Sequence, residues 1–195
     1  MSASSPRSRR VLVAEDETII RLDLISMLEA GGYEVCGEAR DGAEAVALAA
    51  SLEPDAVLMD VKMPKLDGIE ASRRILEHRP VPIVILTAFG QEELVERAVE
   101  IGVFGYLAKP FREQDVIAAL VAAQSRHAEF AEVKLQADSL REALEARKSI
   151  ERAKGILMAK EGISEDAAFE RLRRASQRSG RPMKVIADAL AATLG

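Results

Sequence analysis

The sequence predicts an α/β protein: a doubly wound, five-stranded parallel sheet, then a long coiled-coil-like helix and a small three-helix all-α domain. Three observations lead there. Five short apolar runs alternate with helical periodicity through the first 126 residues. Strand signals stop at Arg112, and helical patterning fills the remainder. The charge divides the chain: residues 1–140 hold 15 Lys+Arg against 24 Asp+Glu, whereas residues 141–195 hold 12 against 8. An acidic first part and a basic second part point to two domains with different partners.

Each element follows from its local pattern. Val11-Leu-Val-Ala14 is short and wholly apolar, as a strand buried on both faces must be. Ile19 to Leu28 repeats apolar residues at helical spacing, and Gly31-Gly32 ends it. Glu34–Gly37 is a second strand and Ala43–Ser51 an Ala-rich helix. Ala56–Met59 is a third strand, running into Asp60. Ile69–His78 is helical until Pro80 and Pro82 stop it. Ile83–Leu86 is the fourth strand, running into Thr87. Glu92–Ile101 is helical and closed by Gly102. Gly105–Ala108 is the fifth strand, followed by Lys109-Pro110. Strands alternating with helices imply right-handed crossovers, with helices on both faces of the sheet.

From Glu113 to about Lys160 the chain holds no Pro and no Gly before Gly155. Within it Phe130, Val133, Ala137, Leu140 and Leu144 step by three and four, the spacing of a coiled-coil seam. The apolar face then passes to Ile150, Ala153, Ile156 and Leu157. Ser164 caps the next helix, with Glu165 and Asp166 in its first turn, where the helix dipole favours carboxylates. Ala168, Phe169, Leu172 and Ala175 form its apolar face, and Gly180 ends it. Pro182 suits the first turn of a last helix bearing Val185, Ile186, Ala189 and Leu190. Gly155 inside a helix costs about 1 kcal/mol relative to Ala. Close helix packing or close approach of another backbone is the expected reason for it.

The 195 residues are 48% hydrophobic and 30% charged, with a net charge of −5. This composition excludes a disordered or collagenous chain. No apolar run approaches the roughly 18 residues of a membrane span. The basic start lacks a secretory hydrophobic core, and the one cysteine, Cys36, forms neither an internal disulfide nor a metal cluster. A reducing cytoplasm is the expected location. His78 and His127 read as solvated side chains, and Cys36 as a small core residue.

Ligands of open parallel sheets bind beyond the carboxyl ends of the strands. Here those ends carry Glu15, Asp16, Asp60, Thr87 and Lys109. Three gathered carboxylates repel one another unless a cation joins them, and a hard ion with oxygen ligands, Mg2+, suits that set. Carboxylate, cation, hydroxyl and ammonium around one point match phosphoryl transfer to Asp60. Asp60 is then the nucleophile, the metal and Lys109 neutralise developing charge, and Thr87 binds the product oxygens. A Ser, Cys or His nucleophile is missing from the cluster, and no Gly-rich phosphate loop follows the first strand.

These residues sit in Val11-Leu-Val-Ala-Glu15-Asp16-Glu17, Met59-Asp60-Val-Lys62-Met-Pro64, Asp67-Gly68, Leu86-Thr87-Ala88 and Tyr106-Leu-Ala-Lys109-Pro110. In that order they resemble a bacterial response-regulator receiver domain, with its flavodoxin-like fold. The resemblance implies Asp60 as phosphoacceptor for a sensor histidine kinase. It implies Mg2+ held by Asp16, Asp60 and the Lys62 carbonyl, with Glu15 acting through water. Glu at the first acidic position is an accepted variant. Thr87 and Tyr106 match positions that rearrange on phosphorylation, and Lys109-Pro110 a cis bond. Lys62 and Phe89, two residues after Asp60 and Thr87, suggest a phosphoryl group longer lived than in chemotaxis-type receivers.

The second part carries Ala153-Lys154-Gly155-Ile-Leu157-Met158, then Gly162-Ile-Ser164-Glu-Asp-Ala167-Ala-Phe169, then Val185-Ile-Ala187-Asp. It is similar to an ANTAR domain, a three-helix RNA-binding output module of antitermination regulators. The expected organisation is a flexible tail over 1–9, a receiver over 10–125 and a helical coiled-coil linker over 126–148. That linker overlaps the start of an ANTAR domain over 131–192. RNA-binding candidates are Arg147, Lys148, Arg152, Lys154, Arg171, Arg174, Arg178, Arg181 and Lys184, since such a basic cluster suits phosphates. Phe169 is the one aromatic after residue 140 and is expected on the apolar face, so base stacking is not foreseen. The expected function is a two-component regulator whose output domain binds RNA hairpins and controls antitermination or translation. It is not an enzyme, does not enter membranes, and forms a phosphorylation-dependent homodimer through the seam. The alternative is a DNA-binding response regulator; a stand-alone phosphotransfer module is disfavoured by the basic tail.

Overall fold

The computed structural model describes residues 9–88, 97–98 and 100–194. The chain divides into two compact units, Met1–Phe130 and Ala131–Gly195. Most of the helix expected over Glu92–Ile101, the residue Phe89 and nearly all of the tail expected over 1–9 lie outside the described residues.

In the first unit the strands are β1 (Arg9–Ala14), β2 (Tyr33–Ala39), β3 (Ala56–Asp60), β4 (Ile83–Ala88) and β5 (Gly105–Lys109). All pair in parallel, in the order β2-β1-β3-β4-β5. This is the doubly wound sheet that the alternation predicted, in the flavodoxin-like form that the receiver resemblance implied. Among the described residues the helices with defined bounds are α1 (Thr18–Ala30), α2 (Gly42–Leu52) and α3 (Gly68–His78), with α4 (Glu113–Glu161) beginning in this unit. The strand period of two sends alternate residues to opposite faces. Leu12, Val57, Met59, Ile83 and Ile85 meet Ala45, Ala49, Ile69 and Ile75 of α2 and α3. Val11, Val13, Leu58, Val84 and Leu86 meet Leu24 and Leu28 of α1 and Val116, Leu120 and Ala123 of α4. Every inner strand is therefore apolar on both faces, and its polar residues are confined to its ends.

Two carboxylates start helices beside those ends. Asp41 accepts from the Glu44 N–H at 2.8 Å and Asp67 from the Glu70 N–H at 2.8 Å. His127, which the sequence suggested was solvated, is half-buried. It packs edge-to-face on Phe104, with ring centroids 5.1 Å apart, and hydrogen-bonds the Pro80 backbone. Burial pulls its pKa below the ordinary value.

In the second unit the rest of α4 is joined by α5 (Glu165–Ser179) and α6 (Met183–Leu194). Ser164 caps α5 by accepting from the Ala167 N–H, and Gly180 ends it at φ 66°, a left-handed conformation that favours glycine. Pro182 stands just before α6 and its carbonyl accepts from the Val185 N–H at 3.0 Å. Ala153, Leu157, Ala168, Leu172 and Ala187 are buried together. The core is small, so one side chain carries much of it. Leu157→Ala is expected to cost about 2–5 kcal/mol. Urea unfolding followed by circular dichroism checks this, and an unmoved midpoint for the three-helix unit refutes it.

Two expectations fail here. Gly155 is exposed, and a Cβ built on it meets nothing within 4 Å, so close packing does not explain it. Phe169 is 40% exposed and lies outside the buried cluster. It lies about 100° around the helix from Ala168 and about 60° from Leu172, at the margin of the face those two share. Among the described residues no helix is long and apolar enough to cross a membrane.

Candidate functional site

Register assembles the site. Ala14 stands opposite Met59, Asp60 opposite Leu86, and Ala88 opposite Lys109. The residues next in each strand or loop, Glu15, Asp60, Thr87 and Lys109, thus meet at one edge of the sheet. Ligand oxygens of Glu15, Asp16 and Asp60 lie within 4.8 Å of one another. Glu15 is fully buried and Asp60 nearly so, whereas Asp16 is exposed. Lys109 Nζ reaches both buried carboxylates, Glu15 Oε2 at 2.8 Å and Asp60 Oδ1 at 2.9 Å. The Glu17 N–H donates to Glu15 Oε1 at 3.3 Å. The Lys109-Pro110 peptide is cis.

Burial pushes the Glu15 carboxyl above its ordinary pKa, and Asp60 adds to the rise against the pull of Lys109. Burial likewise raises Asp60, with Asp16 adding to it, while Lys109 and the Lys62 N–H oppose. For Lys109 burial works downward, but its two carboxylate partners outweigh it and hold the ammonium above its ordinary value. One ammonium between three carboxylates leaves an excess of negative charge at an edge partly open to water. Two buried and one exposed oxygen donors, all carboxylates, suit a hard divalent cation.

Thr87 is buried, and its hydroxyl donates to the Ala88 carbonyl at 3.2 Å. Ile85 pairs with Tyr106 and Thr87 with Ala108, which puts Thr87 and Tyr106 on the same face of neighbouring strands. Tyr106 is 59% exposed, so it is not a packed core ring.

Three further residues shape the site. Lys65 and Arg21 were not singled out from sequence, and Gly68 entered only as part of the Asp67-Gly68 motif, with no role of its own. A Cβ there would collide with the Asp60 carbonyl, and its N–H donates to the Val61 carbonyl at 2.8 Å. Only the missing side chain lets α3 start against the phosphoacceptor candidate. Lys65, at φ 65°, pairs with Asp41 at 2.5 Å in the adjoining loop. Arg21 is buried beneath the loop that holds Glu15 and Asp16. Asp before Gly, or Arg four residues into an amphipathic helix, is too common a pattern to have flagged any of them.

The basic candidates of the second unit separate by environment. Arg171, Arg174 and Arg178 recur along α5 at helical spacing. With Ile163, Ala167, Glu170 and Ala175 they line a groove of about 520 Å³. Arg171 is tied to Glu161. Arg147, Arg152 and Arg181 are exposed, Lys184 is half-buried, and Lys148 pairs with Glu145 at 2.9 Å. Lys154 stands apart: it is buried and holds Glu151 at 2.9 Å and Glu165 at 2.5 Å, joining α4 to the start of α5. On the seam, Phe130, Val133, Leu140 and Leu144 are each more than half exposed.

Comparison with known proteins covers both units. The response regulator receiver domain family matches residues 11–121, and the ANTAR domain family residues 138–190. The transcriptional regulatory protein PdtaR of Mycobacterium tuberculosis is 50% identical over 187 residues, which is 96% of this chain and 91% of that protein. The signal receiver domain of a modulated diguanylate cyclase from Desulfovibrio desulfuricans superposes with a TM-score of 0.57 at 33% identity, over 61% of this chain and 95% of that one. A CheX-CheY-BeF3-Mg2+ complex from Borrelia burgdorferi gives a TM-score of 0.56 at 27% identity, over 58% of this chain and 87% of the matched one.

Proposed function

Because the chain belongs to the response regulators, with a receiver domain and an ANTAR domain in one polypeptide, we propose that a sensor histidine kinase phosphorylates it on Asp60 and that the second unit then binds RNA hairpins. The observation that carries the reading is the Lys109 ammonium bridging Glu15 and Asp60 within a set of three carboxylates. Asp16, Asp60 and the Lys62 carbonyl would hold Mg2+, with Glu15 behind them. When bound, the ion neutralises charge on the transferring phosphoryl oxygens.

An Asp60 oxygen attacks phosphorus as the P–N bond to the kinase histidine breaks and the imidazole leaves with the electron pair. Lys109 then exchanges its Asp60 contact for a phosphoryl oxygen, where its positive charge is needed. The Thr87 hydroxyl turns from the Ala88 carbonyl to another phosphoryl oxygen. That movement frees space on the face that Thr87 shares with the exposed Tyr106, and the ring follows. Phosphorylation adds roughly −1.5 to −2 charges at neutral pH, enough to drive such a change.

The exposed seam supports a homodimer. It spans about two heptads, too few for a coiled-coil contact to hold two chains together on its own. A few kcal/mol supplied by the phosphorylated receiver therefore decides the state. In a parallel pair Glu129 flanks the seam five residues before Lys134, the spacing at which opposite charges meet across two chains. Two basic units then engage paired hairpins, and effective concentration raises avidity. Arg174 and Arg178 supply forks for phosphate oxygens. The half-exposed Phe169 adds a surface on which an unpaired base stacks.

Filter binding of RNA hairpins and duplex DNA, with and without beryllofluoride, tests the output. Tighter hairpin binding on activation is expected; preference for the duplex would favour a DNA-binding regulator. Leu140→Lys with Leu144→Lys is expected to leave the chain folded and monomeric, with hairpin affinity lowered at least tenfold and insensitive to beryllofluoride. Sedimentation and the same filter assay check this. Unchanged affinity and response in a monomeric variant would remove the dimer from the mechanism. Control of antitermination or translation, in the cytoplasm, completes the proposed role.

A further inference from the structure

Arg21 on α1 is a buried guanidinium that takes no part in the chemistry above. Its side chain is 3% exposed. An unpaired buried cation is strongly destabilising, so its partners indicate its use. Nη1 donates to the Glu15 carbonyl at 2.7 Å and, at 3.5 Å, to the Asp16 carbonyl. Nε donates to Glu38 at 3.2 Å. The two carbonyls belong to the residues whose carboxylates enter the acidic cluster. Glu38 lies on β2, opposite Val13 of β1.

We propose that Arg21, held by Glu38, is a positioning residue for the cation site: it fixes the peptide groups around Asp16 so that the Glu15 and Asp16 carboxylates are arranged before the cation arrives. This rests on the Mg2+ reading above. A carbonyl held by a donor fixes its peptide plane, and the planes after Glu15 and Asp16 set where both side chains leave the chain. Asp16 is exposed and Glu15 buried, so without that restraint the exposed member would have to be ordered on binding. Glu38 compensates the guanidinium charge, so Arg21 does not oppose the cation electrostatically. What it adds is geometry, through a fork that reaches backbone and carboxylate at once. A lysine keeps the charge but has no such fork.

Outer partners that orient metal ligands typically change affinity by 10–100-fold when removed. Mg2+ titration calorimetry on the full chain, beside thermal melts, tests the assignment. Arg21→Lys is expected to remain folded and bind Mg2+ about tenfold or more weakly. Glu38→Gln is expected to weaken binding in the same direction. With a small phosphodonor, Arg21→Lys should need more Mg2+ for half-maximal labelling but recover near the unaltered rate at saturation. A folded Arg21→Lys chain with Mg2+ affinity within twofold of the unaltered chain overturns the proposal and leaves the metal reading standing. An Arg21→Lys chain that does not fold also overturns it, since Arg21 would then be a general structural residue. No Mg2+ binding by the unaltered chain defeats the metal reading and this proposal with it.

Discussion

Asp60→Asn is expected to abolish phosphoryl labelling, whether the donor is a histidine kinase or a small acyl phosphate. The amide keeps the shape of the carboxylate but has neither its charge nor its nucleophilic oxygen. Other carboxylates are poor substitutes. Glu15 is fully buried, with one oxygen on Lys109 and the other on the Glu17 N–H. Asp16 is exposed and has no contact with Lys109 among the described residues. The loss should exceed a hundredfold, since no other described residue is placed to take the group. It should occur without loss of fold. Burial raises the Asp60 pKa, so its ionised form is not a source of stability, and the Asn chain should melt no lower than the unaltered one. Autoradiography with calorimetry checks both statements. Labelling equal to that of the unaltered chain would move the acceptor elsewhere, Asp16 first.

Removing the cation is expected to have an effect nearly as large. Chelation by EDTA should stop labelling, because three carboxylates then face the incoming phosphoryl oxygens with Lys109 alone between them. Asp16→Ala should act in the same way while leaving the exposed loop folded. Acidity gives a third measurement. Glu15 and Asp60 both have raised pKa values, so protons compete with Mg2+ from a higher pH than at ordinary carboxylates. Mg2+ affinity should therefore fall as pH drops through those raised values. The metal-free chain should gain stability over the same interval, because the folded state binds more protons than the unfolded state. Undiminished labelling in EDTA, or Mg2+ affinity flat down to the ordinary carboxylate range, would remove the ion from the chemistry.

The site was largely legible before the fold was known, and for a specific reason. In a sheet buried on both faces the strand interiors are apolar, so polar residues at strand ends stand out. Glu15, Asp60, Thr87 and Lys109 were found that way, and strand register brings them together. Arg21 was not found, because a lone arginine in an amphipathic helix reads as a solvated residue. Only its contacts with the Glu15 and Asp16 carbonyls distinguish it. Gly68 stood in a motif, but its role was not read, since the collision that forbids a Cβ involves a carbonyl eight residues away.

Local pattern by itself determined the elements and their order: apolar runs made strands, periodicity of 3.6 made helices, and Ser164 and Gly180 bounded α5. It also defined the three-four spacing of Phe130, Val133, Ala137, Leu140 and Leu144, which needs no partner to be read. Tertiary structure alone decided which of several similar side chains are covered. Lys154 lies in the same basic series as Arg152, yet it is buried between Glu151 and Glu165 while Arg152 is exposed. Phe169 was assigned to the apolar face and stands half exposed, and His127 was assigned to solvent and packs on Phe104. The physical reason is common to all three. Sequence period defines a helical face to within roughly one residue step of about 100°. Whether a side chain at the margin of that face is buried depends on the angle at which another element crosses it, and only packing sets that angle.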